Sequence, residues 1–273
     1  MSIRLTVAAA ALFAAFVVPG GAFARSQADA FPVTITASNG KVTVRKVPQR
    51  IVSLSATATE TLFAIGAGAQ VVAVDDQSDY PKTAPRTTLS GYTPNVEAIA
   101  GYRPDLVVIS YDPKGLVDAL ATLGIPVVHH DAAAAFAGAY QQMRQLGALT
   151  GHKAEADGLV TRMQQRIAKV VRKAKARGVT ASVYHELDPS FYSVTSNTFV
   201  GRIYTLFGLR NIADAAAGSG SDYPQLSAEH IVSANPDIIV LADSVCCGQT
   251  VGAVAARPGW SGIAAVKQRA IVR

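Results

Sequence analysis

Apolar residues recur along the chain in short, nearly continuous runs separated by stretches of helical periodicity. Ile51-Val52-Ser53-Leu54-Ser55, Val71-Val72-Ala73-Val74, 105–110 and 125–129 read as strands buried on both faces. Between them, Glu60 to Ile65 closed by Gly66, about 95–102, and 114–123 read as helices. This alternation predicts an α/β fold whose parallel sheet is covered on both sides. Ahead of it, Val33 to Thr36 and Val42 to Val44 flank Asn39-Gly40, which predicts a small entry hairpin turning at that pair. Asp75 to Thr88 reads as a loop.

Helical spacing then runs from Phe136 to Ala176, broken at Gly147 to Gly151. Its second part, His152 to Arg177, predicts a helix roughly 39 Å long, a rigid spine. The strand pattern restarts at Ala181 to His185, followed by a helix near 199–207, a strand at 237–242 and a final helix and strand ending at Arg273.

One unit is written twice. Asn95-Val96-Glu97-Ala98-Ile99 leads to Arg103-Pro104-Asp105-Leu106-Val107-Val108-Ile109, and Ser227-Ala228-Glu229-His230-Ile231 leads to Asn235-Pro236-Asp237-Ile238-Ile239-Val240-Leu241. Each copy is a capped helix followed by a buried strand, with Glu97 and Glu229 two residues after the cap. The doubling predicts two similar α/β lobes, at 25–148 and 179–273, joined by a helix at 149–178. A carboxylate in a first helical turn complements the macrodipole by ~0.3–1 kcal/mol. That explains one such residue, but not the same offset in both lobes. Matched carboxylates suit docking onto two equivalent basic pockets of a symmetric partner.

The N-terminus changes the compartment. Arg4, the apolar run Leu5 to Val18 and Ala22-Phe23-Ala24 describe a secretory leader, 1–24, cleaved after Ala24. The expected product is a soluble periplasmic monomer; no cysteine follows the cleavage point, so no lipid anchor is expected. The formal net charge is +6. Its cations are densest between Arg162 and Arg177, interleaved with apolar residues, which reads as a solvated helix face. No nucleic-acid motif is present. The two cysteines, Cys246 and Cys247, are adjacent. In an oxidising compartment they are expected to form a strained vicinal disulfide whose flat face lines the cleft, free thiols being the alternative.

In parallel α/β sheets ligands bind beyond the carboxyl ends of strands. Those positions hold Tyr80, Tyr92, Tyr111, Phe191 and Tyr192, an aromatic set suited to a large, partly apolar ligand. No dinucleotide fingerprint, P-loop, G-x-S-x-G or H-E-x-x-H is present, so no catalytic residue, metal site or cofactor is assigned. The enzyme alternative is an exported hydrolase or metal-dependent lyase using His129, His130 or His185.

With Pro48-Gln49-Arg50-Ile51-Val52-Ser53-Leu54-Ser55, Ala58-Thr59-Glu60, Ser78-Asp79-Tyr80-Pro81, the two repeats and Arg257-Pro258-Gly259-Trp260, the chain resembles the periplasmic substrate-binding proteins of ABC importers for ferric siderophores, haem and cobalamin. The resemblance spans nearly all of 32–273. It implies two Rossmann-like lobes joined by one long helix, a ligand held between them, and no chemistry performed. It implies that Glu97 and Glu229 meet arginines of an inner-membrane ABC permease. Ser78-Asp79-Tyr80-Pro81, Tyr92 and Tyr223-Pro224-Gln225-Leu226-Ser227 resemble the cobalamin-binding branch most. The ligand is expected to be a corrinoid, with ferric siderophore and then haem as alternatives; a siderophore would call on Arg86 or Arg202. The resemblance also implies a closing helix beyond Arg273.

Overall fold

A computed structural model describes residues 31–178 and 180–273. The expected leader, 1–24, lies outside the described residues. The chain opens with β1 (Val33–Ala37) and β2 (Gly40–Val44), paired antiparallel. The expected turn is shifted by one residue. Ala37 pairs with Gly40, so Ser38-Asn39 form the turn and Gly40, at φ 92°, opens β2.

Next come β3 (Ile51–Leu54), α1 (Ala56–Ala64), β4 (Val71–Asp75), β5 (Arg86–Leu89), α2 (Val96–Gly101), β6 (Leu106–Ile109), α3 (Leu116–Thr122) and β7 (Val127–His129). They build a five-stranded sheet in the order β5-β4-β3-β6-β7, every pair parallel. β5 lies in the stretch expected to be loop. It is short, polar and at an edge, and alternation does not reveal such a strand. The central strands β3 and β6 are buried at every residue. Ile51, Val74, Leu106 and Val108 join one apolar cluster with α1, and Val52, Leu54, Val107 and Ile109 join another with α3. Opposite faces of one sheet thus feed two cores, as a period of two dictates. Asn39 guards the exposed edge of this sheet. Its amide donates to the Val127 carbonyl at 2.9 Å and accepts the His129 N–H at 3.1 Å, replacing a strand partner for β7.

α4 (Phe136–Thr150) and α5 (Lys153–Lys175) are antiparallel neighbours broken at Gly151, φ 81°. A side chain at Gly147 would collide with Ala156, so the two helices approach closely there. At ~1.5 Å per residue α5 spans ~34 Å. Only Ala156 and Val160 of it are fully buried, so its C-terminal two thirds stand away from the body.

The second half contains β8 (Ser182–Glu186), α6 (Phe199–Leu206), β9 (Arg210–Asn211), α7 (Ala228–Ala234), β10 (Ile238–Leu241), α8 (Val251–Ala255), α9 (Ala264–Lys267) and β11 (Ile271–Val272). Its sheet runs β11-β10-β8-β9, again wholly parallel. Tyr184, Ile239, Leu241, Trp260 and Ile263 form its core, while Ile238 and Val240, on the other face of β10, are only half-buried. The architecture is thus the predicted one: two parallel-sheet lobes and a long connecting helix.

The repeat recurs atom by atom. Asn95 Oδ1 accepts the Ala98 N–H at 2.8 Å, and Ser227 Oγ accepts the His230 N–H at 3.1 Å. Arg103 and Asn235, each before proline, take φ 49° and 46°. The Asp105 carboxylate accepts the N–H groups of Gln49 and Arg50. Asp237 accepts the Ser182 N–H and hydroxyl at 2.8 and 2.9 Å. Each repeat aspartate therefore clamps the amino end of the neighbouring strand, β3 or β8.

Candidate functional site

The carboxyl ends of β3, β6 and β7 deliver Ser55, Tyr111 and His130 to the rim of a cavity of about 530 Å³. Ser55 also caps α1 through the Ala58 N–H, which fixes the mouth of β3. One wall is the inner face of α4, where Gln142, Met143 and Leu146 recur at helical spacing. Phe199, the first residue of α6 and so part of the second half, completes it; its ring meets Phe136 edge-on, centroids 5.2 Å apart. Tyr92 and Tyr111 stand at the opening with centroids 6.4 Å apart, 70 % and 53 % exposed. Rigid rings left in water at a cavity mouth are ready to desolvate against an apolar ligand face.

Beneath the Ser55 rim, and not lining the cavity, lies a buried polar network that is internally satisfied. Thr59 Oγ1 bonds the hydroxyls of Ser53 and Ser78, both at 2.9 Å, and Ser78 Oγ donates to the Asp75 carboxylate at 2.5 Å. Burial pushes the Asp75 carboxyl upward, against the Ser78 hydrogen bond. His130 shares a 2.8 Å bond with Gln145, and burial holds its imidazole below the usual histidine range, so it lines the cavity neutral. Another cavity, about 560 Å³, opens at the amino ends of the first sheet between Arg45 and Ile125. Its Asp105 is already engaged by the strand clamp, and α/β ligands bind at the opposite end.

In the second half, buried Glu186 ends β8 and receives both guanidinium arms of Arg257, Nη1 at 2.6 Å and Nη2 at 2.7 Å. Arg257 in turn lies over the Phe191 and Trp260 rings, 5.1 and 4.6 Å from their centroids. Asp243, at the end of β10, is wholly buried with neither carboxylate oxygen partnered among the described residues. Burial and then the nearby Glu186 charge push its pKa up.

A family model described as "Periplasmic binding protein" matches residues 51–273. The chain belongs to that family. It is 34 % identical over 258 residues to an uncharacterized ABC transporter substrate-binding lipoprotein, YvrC, of Bacillus subtilis (strain 168), covering 91 % of this chain and 80 % of that one. It is 35 % identical over 251 residues to a cobalamin-binding protein of Halobacterium salinarum (strain ATCC 29341), covering 86 % and 68 %. A solved structure described as a possible iron-binding (periplasmic solute-binding) protein of Staphylococcus epidermidis superposes with a TM-score of 0.71 at 25 % identity, covering 83 % and 90 % of the two chains.

As a member, the chain is a substrate-binding protein of the ABC importer type with an extracytoplasmic location, in a family of transporter components rather than enzymes. The site residues expected from the sequence are distributed unevenly around its cavity. Tyr92 and Tyr111 line it, whereas Tyr80, 63 % exposed beyond β4, does not. Tyr192 is exposed and bridges to Gln225. Phe191 departs from the expected cleft wall: at φ 70° it turns its ring onto Trp260, beneath Arg257, and becomes support. Cys246 and Cys247 are free, exposed thiols, in place of the expected vicinal disulfide. Arg202 is engaged by the Asn197 carbonyl at 3.0 Å, and Arg86 sits exposed on β5; neither lines the cavity.

Glu97 and Glu229 both occupy exposed first turns, of α2 and α7, with no ion-pair partner among the described residues. His129 reaches Asp131 at 3.1 Å and His185 the Tyr204 hydroxyl at 2.7 Å, each in a local pair. Among the described residues no three His, Cys, Asp or Glu side chains gather as a metal site. Reading strand ends alone missed the α4 wall and Phe199. The i, i+3, i+7 spacing of Ala139, Gln142 and Leu146 was the available signal.

Proposed function

We propose that the protein captures a corrinoid between its two lobes and passes it to an ABC permease. The observation carrying this reading is the pairing of a cobalamin-binding relative with a roomy, aromatic-rimmed cavity that offers no cationic side chain to an anionic chelate. An anionic ferric chelate, such as a tris-catecholate, calls for arginines at hydrogen-bond range, whereas a neutral tris-hydroxamate does not. The likeness to a possible iron-binding protein keeps a ferric chelate as the second reading. We read 25–148 and 179–273 as the lobes and 149–178 as their rigid connection. Glu97 and Glu229 are the docking points, one per lobe, for basic pockets of the permease.

Calorimetric titration with cyanocobalamin, ferrichrome and haem in turn tests the ligand. One-to-one saturable binding of cyanocobalamin, in preference to the other two, is the expected result. Preference for ferrichrome or haem moves the assignment to that chelate, and binding of none overturns it.

A further inference from the structure

The side of the molecule behind the cleft carries a charge pattern that ligand capture does not use. α5 joins the amino end of one sheet to the amino end of the other. His152, at its start, lies 3.4 Å from where a Cβ on Gly66 would stand, in the turn before β4, and its last turn leads toward Ser182, where β8 begins. Between Asp157 and Glu186 the chain has no acidic residue. Arg162, Arg166, Lys169 and Lys173 recur at i, i+4, i+7 and i+11, which sets them on one helix face as a stripe roughly 17 Å long. All four are exposed, and none meets an acid among the described residues.

The same sheet ends add further cations. Arg45 and Lys46 border the cavity at the amino ends of the first sheet, and exposed Arg210, Lys267 and Arg269 stand at or just before the starts of β9 and β11. Asp105 and Asp237, at those ends, are engaged by the strand clamps. Exposed carboxylates gather at the opposite ends instead: Glu97, Asp118, Asp214 and Glu229 sit in first helical turns there, and Asp131 follows β7. The two carboxyl-end faces meet at the cavity through Phe136 and Phe199. The molecule is thus bipolar, acidic around the cleft and basic behind it.

We propose that this basic back, centred on the α5 stripe, binds the anionic headgroups of a phospholipid bilayer, with the cleft facing away from the lipid. Clustered Lys and Arg side chains are drawn to such a surface, and an apolar side chain among them can enter the headgroup layer. Val170, next to Lys169, is 49 % exposed and supplies one. A single-stranded nucleic acid would call for stacking rings among the cations, and no Phe, Trp or Tyr lies between Tyr140 and Tyr184. The extracytoplasmic setting makes a membrane leaflet the matching anionic surface. Back-bound protein keeps its cleft open to arriving ligand. On the docking reading above, it must leave the lipid and turn over to present Glu97 and Glu229 to the permease. The attachment is the same whichever chelate the cavity takes.

Co-sedimentation with phosphatidylglycerol/phosphatidylcholine vesicles, without permease or ligand, tests this. Wild type is expected to bind the mixed vesicles at least tenfold more tightly than pure phosphatidylcholine, and to weaken at least tenfold as salt rises from about 50 to about 300 mM. The combined variant Arg162→Gln, Arg166→Gln, Lys169→Gln, Lys173→Gln is expected to lose at least tenfold on mixed vesicles with an unchanged thermal midpoint. Amide exchange on vesicle-bound wild type is expected to slow around 162–177 and not in the first turns of α2 and α7. Equal binding to both vesicle types, salt-independent binding, a folded variant that binds as wild type does, or slowing at α2 and α7 instead overturns the attachment. None of these outcomes bears on the corrinoid or docking readings, which the titrations and permease measurements decide separately.

Discussion

Arg257 places one guanidinium nitrogen on each carboxylate oxygen of Glu186, a residue with no solvent exposure. The fork matches the carboxylate geometry, and the same guanidinium lies over the Phe191 and Trp260 rings, which stack on each other with centroids 5.9 Å apart. Removing one partner of such a pair leaves an uncompensated buried charge. Arg257→Met is therefore expected to destabilise the protein by ~3–5 kcal/mol in urea unfolding. Arg257→Lys is expected to recover only part of this, because an ammonium cannot span both oxygens or stack on the rings. A lysine variant as stable as wild type would show that the fork contributes no more than a point charge.

Asp243 sets a pH signature in the same half. Burial raises its folded-state pKa, with the Glu186 charge adding to it. A carboxyl raised on folding stabilises only while the unfolded chain is also protonated, below about pH 4. That contribution is lost progressively as pH rises from there through the folded pKa. Asp243→Asn removes the titration. The stability difference between wild type and this variant should therefore move against wild type as pH climbs from about 4, by urea midpoints at constant ionic strength. A pH-independent difference would show that Asp243 ionises in the native state as freely as in the unfolded one.

Gly201 supplies a steric test of the wall that carries Phe199. A Cβ at this position of α6 would lie 1.9 Å from the Thr195 carbonyl oxygen, a backbone atom that cannot swing aside. Gly201→Ala gains helix propensity yet is expected to destabilise by ~1–3 kcal/mol, the range for forced overpacking. It should also weaken ligand binding through displacement of Phe199. Thermal unfolding and calorimetry on the same preparation separate the two effects.

The cavity mouth yields a graded binding prediction. Tyr92→Ala and Tyr111→Ala each remove an exposed ring at the opening and are expected to raise Kd about tenfold, ~1.4 kcal/mol. Phe199→Ala should act similarly from the opposite wall. Tyr80→Ala, outside the lining, should change Kd by less than about threefold. Calorimetry across the series decides it. An effect at Tyr80 equal to that at Tyr92 would relocate the ligand toward β4.

The legible parts of this molecule were those determined locally or by burial on both faces. β3 and β6 are apolar throughout because both faces are covered, and Asn95 and Ser227 cap helices by bonds within three residues. The matched offsets of the repeat therefore reported two lobes directly. β5 and β9 were not legible, since edge strands of four and two residues are defined by a neighbour's hydrogen bonds rather than by their own pattern. Phe191 was misplaced for a related reason: its direction depends on φ 70° and on Arg257, which lies 66 residues along the chain. Arg257 itself stood in a recognisable motif, but only Glu186 in three dimensions gives it a task. The hairpin turn shifted because Asn39, free to enter a tight turn with Gly40, instead spends its amide on β7.

Glu97 and Glu229 carry the last prediction. Both are exposed in first helical turns, both sit two residues after a capping side chain, and neither meets a cation among the described residues. A helix dipole alone accounts for a favourable site at each but not for leaving both unpaired at the same point of two lobes. Exposed charges contribute little standing affinity, yet they set register and encounter rate with a charged partner. Reversing both, Glu97→Arg with Glu229→Arg, should leave ligand Kd in solution within about twofold. Association with the cognate permease should slow by at least tenfold at low salt, and the deficit should shrink as added salt screens the charges. Single reversals should each give an intermediate loss, because either lobe can still find its pocket. Weakened ligand binding in the double variant would place these carboxylates in the cleft, and salt-independent association would remove them from the docking surface.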